Sequence, residues 1–100
     1  MNDFENMYKS IQEGWLPIAR KLHHELLKIA PDYKIFQIKE KFGGLRYYTD
    51  GSIGEEGERL IAEAERECSK TCEFCGSTDE VATAGPSWIK TLCKVCHSKR

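Results

Sequence analysis

The sequence predicts an α+β fold in which helices pack on a β-hairpin and a C-terminal cysteine-rich module completes one compact unit. Three patterns support this prediction. Apolar residues recur at helical spacing on both sides of a short stretch of period two, a Gly-Gly pair interrupts that stretch, and two CxxC pairs lie near the C-terminus. We therefore expect a helix-helix-hairpin-helix region over residues 1–71 and a metal-binding module over residues 72–100, packed as a single domain.

Two amphipathic helices are predicted before the hairpin, because apolar residues recur at intervals of three and four. The first helix contains Phe4, Met7, Tyr8 and Ile11, and we expect it to end at Gly14. The second has Pro17 in its first turn, where proline is tolerated. Its apolar residues are Ile18, Leu22, Leu26 and Ile29, and Pro31-Asp32 closes it.

Residues 33–42 change to a period of two, which is typical of a strand. Phe36, Ile38 and Phe42 fall on one side of this strand, and Gln37, Lys39 and Lys41 fall on the other. Gly43-Gly44 is a two-residue turn signal, and residues 45–49 supply the returning strand.

A third helix is predicted after the hairpin, from a capping box formed by Ser52 and Glu55 to about Ser69. Its expected inner face consists of Leu60, Ile61, Ala64 and Cys68.

Four cysteines are spaced as C-x2-C-x17-C-x2-C: Cys72, Cys75, Cys93 and Cys96. Two residues between cysteines allow both thiolates to face one point, and a second pair completes the tetrahedron that Zn²⁺ prefers. Gly76 directly follows the first pair, where glycine reaches an unusual backbone angle without steric cost. The sequence therefore predicts a structural Zn²⁺ site, which would also stabilise a chain with a small core.

Other interpretations of the cysteines are unrelated buried thiols, a redox CxxC pair or an iron–sulfur cluster. No βαβ pattern surrounds the pairs, which argues against a thioredoxin-like motif. Cys68 is the fifth cysteine, and we expect a small buried apolar residue there. His97 directly follows Cys96 and could replace a cysteine as ligand, but this adjacency favours a solvated or supporting histidine.

The cysteine spacing, together with Trp88-Ile89-Lys90-Thr91-Leu92-Cys93, resembles GATA-type and related treble-clef fingers over residues 72–100. The resemblance implies a knuckle and a hairpin that precede a second pair opening a helix. In those fingers, the helix and a basic tail supply much of the DNA contact. Here only residues 97–100 follow Cys96, so one helical turn offers few side chains to base edges.

The run of residues 37–48, Gln-Ile-Lys-Glu-Lys-Phe-Gly-Gly-Leu-Arg-Tyr-Tyr, and the upstream Gly14-Trp15-Leu16-Pro17 resemble a group of small proteins from bacteria, phages and prophages. The resemblance spans most of the chain and brings no assigned chemistry. It implies a bacterial or phage setting in the cytosol, and it makes an accessory role in phage biology a hypothesis.

Charge and composition limit the classes of partner that we expect. The net charge of −1 gives no global signature of a nucleic-acid or membrane binder, so any such activity must be local. The N-terminus shows no signal-peptide pattern, and no apolar run is long enough to span a bilayer, which predicts a cytoplasmic protein. The hairpin is basic, whereas the third helix is rich in glutamate.

Two functions remain from these patterns, and neither involves a small-molecule substrate. The first is a protein-binding module, as in a phage-encoded inhibitor or adaptor acting on a host defence complex, which could be a nucleoprotein. The second is a nucleic-acid-binding zinc protein. The candidate contact residues are Lys39, Lys41, Arg46, Tyr48, Lys90 and Lys94, extended by the basic end of the chain.

No catalytic set is recognisable. His23-His24, His97 and scattered carboxylates do not form a nucleophile, base and orienting group. Pro31-Asp32 followed by Glu40 and Lys41 is a weak match to metal-dependent nucleases. Four thiolates would leave Zn²⁺ no open position for water. We therefore expect that the protein is not an enzyme.

Overall fold

The computed structural model describes residues 7–85 and 89–99, and it shows an α+β fold. A 3-10 turn at Tyr8–Ser10 precedes three helices and two hairpins. In chain order these are α1 (Leu16–Ile29), β1 (Ile35–Lys41), β2 (Gly44–Thr49), α2 (Gly54–Cys68), β3 (Ala82–Ala84), β4 (Lys90–Leu92) and α3 (Lys94–Ser98). The strands form two separate antiparallel pairs, β1 with β2 and β3 with β4. The molecule is elongated, with principal extents of 42 × 22 × 20 Å.

The core lies between α1, α2 and the inner face of the first hairpin. Helix α1 contributes Ile18, Leu22 and Leu26 of the predicted apolar stripe, and Pro17 lies in its first turn. The fourth residue of that stripe, Ile29, is only half-buried at the end of the helix and does not join the core. The inner face predicted for α2 also packs on the core. Strands β1 and β2 add Ile38, Leu45 and Tyr47. Helices α1 and α2 and the first hairpin therefore share one apolar cluster, and the hairpin covers one side of it.

The predicted first helix is only partly confirmed. In the described residues it is the short 3-10 turn, and Ile11 already has an extended backbone. Met7, Tyr8 and Ile11 still pack against the core, whereas Phe4 lies outside the described residues. The chain leaves the helical path early because a turn over the next residues brings the backbone of Gly14 to the cysteine-rich end.

The hairpin is confirmed, but its turn is shifted by one residue. Lys41 pairs with Gly44, so the two loop residues are Phe42 and Gly43. Both have positive φ, 54° and 80°, as a tight hairpin turn of the primed type requires. The side chain of Glu40 accepts a hydrogen bond from the Gly43 amide at 2.7 Å and fixes this turn. The predicted Gly43-Gly44 turn is therefore wrong in register.

Two aromatic residues predicted on the same side of the first strand as Ile38 are exposed to solvent. An irregularity in the pairing between Ile35 and Gln37 takes Phe36 out of the alternation, and its ring is 62% exposed. Phe42 lies in the turn and is 67% exposed. Ile38, by contrast, is fully buried. The hairpin therefore carries more apolar surface to solvent than its sequence pattern suggests.

The start of α2 also differs from the prediction. Ile53 is the N-cap residue of α2, and no side-chain cap is present. The Ser52 hydroxyl donates to the Asp50 carboxylate at 2.8 Å, in a turn that precedes the helix. The capping box of Ser52 and Glu55 is therefore wrong, because Ser52 is committed to that turn.

Candidate metal centre

Four cysteine side chains converge at one end of the molecule: Cys72, Cys75, Cys93 and Cys96. All of their sulfur atoms lie within 4.8 Å of one another, and the sulfurs of Cys75 and Cys93 are 3.6 Å apart. Zn–S bonds of about 2.3 Å in a tetrahedron place the sulfurs about 3.8 Å apart. The four thiols therefore lie close enough together to bind one metal ion.

The first pair of cysteines is held by a tight knuckle. The amide of Gly76 donates to the Cys72 carbonyl at 2.9 Å, and the amide of Cys72 donates to the Ser77 carbonyl at 2.7 Å. Gly76 has a φ of 84°, so the left-handed conformation expected after the knuckle is present. This turn directs both sulfurs toward the same point.

The second pair stands at the beginning of α3. Cys93 is the extended N-cap residue that follows β4, and Cys96 lies in the first turn of the helix. The His97 amide donates to the Cys93 carbonyl at 2.9 Å. Strand β4 thus delivers one ligand and the helix the other, so the knuckle, the second hairpin and α3 meet at the thiol cluster.

The electrostatics of the cluster favour a bound cation. Burial alone would raise the pKa of the Cys72 thiol, but the amides of Cys75, Cys93 and Phe74 donate toward its sulfur and lower that pKa to about 6. Partial burial and hydrogen bonds with the neighbouring cysteines raise the pKa of Cys96 to about 12. One thiolate is therefore easily formed, whereas four adjacent thiolates require a positive ion among them.

A network of charges supports the knuckle from the side of the first hairpin. Glu73 lies between the first two cysteines and is only 2% exposed. Its carboxylate is 3.1 Å from the Lys90 ammonium, which also lies 2.9 Å from the carboxylate of Glu40. Because Glu40 belongs to β1 and Lys90 to β4, this network connects both hairpins to the knuckle.

Close contacts at Gly14 and Gly43 stabilise the same junction. The Thr91 hydroxyl donates to the Gly43 carbonyl at 2.5 Å. A β-carbon at Gly43 would come within 2.7 Å of the Thr83 side chain. At Gly14, a β-carbon would come within 2.1 Å of the Cys72 carbonyl oxygen, and the Gly14 amide donates to the Glu73 carbonyl at 3.0 Å. Two glycines thus allow the rest of the chain to approach the cysteine-rich end closely.

The two remaining candidates near the cysteines do not join the cluster. Cys68 is fully buried in the apolar core, as predicted, and burial raises the pKa of its thiol to about 12. The Nε2–H of His97 donates to the Ala82 carbonyl at 2.9 Å, so this histidine supports β3 instead of completing the cluster.

The predicted contact residues separate into three places. Lys39, Lys41, Arg46 and Tyr48 share the outer face of the first hairpin, since Lys39 pairs with Arg46 while Lys41 and Tyr48 pair with Gly44 and Gln37. Lys94 is exposed at the start of α3. Lys90 is held between two carboxylates, so its ammonium has an internal role in the junction.

Sequence reasoning missed the residues that connect the cysteine-rich end to the rest of the chain. Gly14, Glu40 and Thr91 belong to runs that resemble other proteins, but no local pattern assigns them or Glu73 to this junction. The signals in the sequence are limited to Gly14, which directly precedes a tryptophan, and to Glu73, which is a charged residue inside a CxxC pair. The side chain of Trp15 donates to the Thr71 carbonyl at 2.8 Å, just before the first cysteine.

Within residues 7–85 and 89–99, no helix combines the length and apolarity needed to cross a bilayer. The chain matches no protein-family model, and no curated protein or solved structure matches it.

Proposed function

We propose that this chain is a non-catalytic, zinc-stabilised protein-binding module. A binding role is supported by large apolar side chains that are exposed to solvent at the cysteine-rich end. Phe74, inside the knuckle, is 63% exposed, and Val95, on α3, is 58% exposed. Side chains of this kind are rarely left exposed together unless they serve as contacts.

Zn²⁺ is the ion we propose for the thiol cluster. Four cysteine ligands with tetrahedral spacing are typical of structural Zn²⁺ sites. An iron–sulfur cluster would place several atoms between the thiolates and would separate them more widely. With four protein ligands, the ion would have no open position for water, which supports a structural role over hydrolysis. The order of knuckle, hairpin and helix supports a treble-clef class for this end of the chain.

The proposed contact surface, which we name the knuckle patch, consists of Phe74, Leu92, Val95, Cys96 and Lys99. A depression of about 180 Å³ is lined by Phe74, Leu92, Cys96 and Lys99. Val95 lies four residues before Lys99 and thus on the same side of α3. An apolar floor beside a lysine is suited to a protein segment that presents an apolar side chain next to a carboxylate.

The resemblance of residues 37–48 to bacterial and phage proteins supports the finer form of the proposal. In that form, the protein is a phage-encoded inhibitor or adaptor that acts in the bacterial cytosol on a host defence complex. A small rigid module with an exposed apolar patch is sufficient for such a role, because a few central side chains carry most of the binding energy at protein interfaces.

The test is capture of a partner by the zinc-loaded protein from a nuclease-treated bacterial lysate, followed by titration with the purified partner. We expect the double variant Phe74→Ser/Val95→Ser to bind at least tenfold more weakly, since truncation of central apolar contacts costs more than about 1 kcal/mol each. Phe36→Ser is the matched control, because Phe36 is equally exposed but lies on the first hairpin. Equal binding by the wild type and the double variant would contradict the proposal.

A further inference from the structure

A second surface of the molecule carries a different chemistry from the knuckle patch. The outer face of the first hairpin presents three cations, Lys39, Lys41 and Arg46, and the ring of Tyr48. We name these four residues the hairpin face. By the strand register, the one acidic residue of the hairpin, Glu40, points to the opposite side, where it pairs with Lys90. The hairpin itself therefore places no carboxylate among the three cations.

Aromatic rings lie beside these cations. The Lys39 ammonium is 6.0 Å from the centre of the Tyr48 ring, and the Lys41 ammonium is 5.7 Å from the centre of the Phe42 ring. Tyr48 is 46% exposed, and Phe36 and Phe42 are more exposed still. Contacts of this kind are weak at exposed sites, so each ammonium can turn to an anionic ligand while the ring remains available.

The length of the hairpin is suited to an extended ligand. The two strands pair from Ile35 with Thr49 to Lys41 with Gly44. At about 3.4 Å per residue, this ladder is roughly 20 Å long, which is sufficient for a few nucleotides in an extended conformation. Its inner face is anchored in the core, so the outer face is presented on a rigid support.

We propose that the hairpin face binds single-stranded nucleic acid, with Lys39, Lys41 and Arg46 contacting phosphates and Tyr48 stacking on an unpaired base. Cations that follow a backbone, combined with exposed rings, are the means by which proteins bind single strands without reading their sequence. The carboxylate of Glu65 on α2 lies close enough to Arg46 to be influenced by its charge, and it limits the basic surface on that side. This inference does not depend on the knuckle patch.

The test measures the affinity of the zinc-loaded protein for a fluorescent oligonucleotide of about twelve residues at several salt concentrations, using single-stranded RNA, single-stranded DNA and duplex DNA. Three phosphate contacts predict a slope of about −2 for log affinity against log salt on single strands. The triple variant K39Q/K41Q/R46Q should bring that slope close to zero. The matched control, K21Q/K28Q/R66Q, removes three exposed cations from α1 and α2 and should leave the slope unchanged.

The aromatic contribution is tested separately. Tyr48→Ala should weaken binding about fivefold or more, because one stacked base contributes at least that much. Tyr48→Phe, which keeps the ring, should bind almost as the wild type does. Unchanged zinc content and melting temperature in every variant would show that only the surface has changed.

Several outcomes would overturn the proposal. These are no binding to either single strand at low salt, equal binding to the duplex, or equal loss of affinity in the two triple variants. Displacement of the oligonucleotide by polyglutamate at equal charge concentration, with no effect of Tyr48→Ala, would instead assign the face to an acidic protein partner. Preference for RNA over DNA, or the reverse, would identify which single strand is bound.

Discussion

The two ends of this molecule are held together by different means. The helical end, residues 7–71, has a core that includes Trp15, Leu22, Leu26, Ile38 and Leu45, each at most 2% exposed. In the metal end, residues 72–85 and 89–99, the buried apolar cluster consists of Cys72, Leu92 and Cys93, with Val81 and Cys96 partly buried beside them. Three of those five residues are thiols of the proposed metal site.

This difference shows where each end obtains its stability. Burial of apolar side chains holds the helical end, as in most small domains. Two strands of three residues and one helix of five residues cannot bury enough surface to do the same. We therefore expect the metal end to depend on the proposed ion, with binding of that ion coupled to folding of this end.

Removal of the proposed metal ion is expected to affect the two ends most differently. A structural Zn²⁺ contributes about 10 kcal/mol or more, so a chelator should unfold the metal end and leave the helical end folded. A thiol reagent should then react rapidly with four cysteines and slowly with Cys68. Cys68 is fully buried, burial raises the pKa of its thiol to about 12, and the thiolate is the reactive form.

Hydrogen exchange gives the control for that experiment. The Gly14 amide donates to the Glu73 carbonyl in the knuckle, so it should lose protection on chelation, whereas the interior amides of α1 should keep theirs. Simultaneous reaction of all five thiols would show that the helical end also requires the metal. Slow reaction of all five would show that the cysteine-rich end folds without an ion.

A smaller effect is expected from crowding the junction between the ends. Gly14→Ala places a β-carbon 2.1 Å from the Cys72 carbonyl oxygen, so backbone must shift. We expect a loss of about 2–3 kcal/mol in the free energy of unfolding, together with weaker zinc binding, because the knuckle is displaced. Thermal melting and competition with a zinc chelator measure the two effects.

Gly44→Ala is the matched control for this substitution. A β-carbon at Gly44 would meet only the Lys41 carbonyl oxygen, at 3.5 Å, which is an ordinary contact. We expect little change, or a gain of up to about 1 kcal/mol from reduced freedom of the unfolded chain. If both variants behaved alike, the close approach of Gly14 to the knuckle would not stabilise the molecule.

The sequence predicts what depends on neighbouring residues. The two main helices are recognisable because apolar residues recur at a fixed interval along each of them. The four cysteines are recognisable because a two-residue spacing already brings each pair together. The burial of Cys68 is predictable for the same reason, since it continues the apolar face of α2.

What the sequence could not show depends on residues far apart in the chain. The turn at Phe42 and Gly43 is tightly packed because Gly43 contacts Thr91, 48 residues away. The sequence predicts Lys90 as an exposed contact residue, whereas the fold places its ammonium between the carboxylates of Glu40 and Glu73. Such contacts leave no pattern among neighbouring residues. The sequence therefore predicts periodic helices and strands better than it predicts which charged side chains remain exposed.

The smallest effect is expected from weakening the charge network of Glu40, Lys90 and Glu73 at the junction. Glu40→Gln removes one of the two carboxylates around Lys90 and keeps the other, so we expect a loss of about 1 kcal/mol in the free energy of unfolding. The control is Glu63→Gln, which breaks the exposed pair with Arg59 on α2 and should cost about 0.3 kcal/mol.

Urea unfolding at low and high salt separates the two variants further. The Glu40 and Lys90 side chains are mostly shielded from solvent, whereas those of Arg59 and Glu63 are about half exposed or more. Salt screens exposed charges much more effectively than shielded ones. The cost of Glu40→Gln should therefore persist at high salt while the cost of Glu63→Gln disappears. Equal costs for both would mean that the first hairpin is held to the metal end by the Gly43 and Thr91 contact and not by charge.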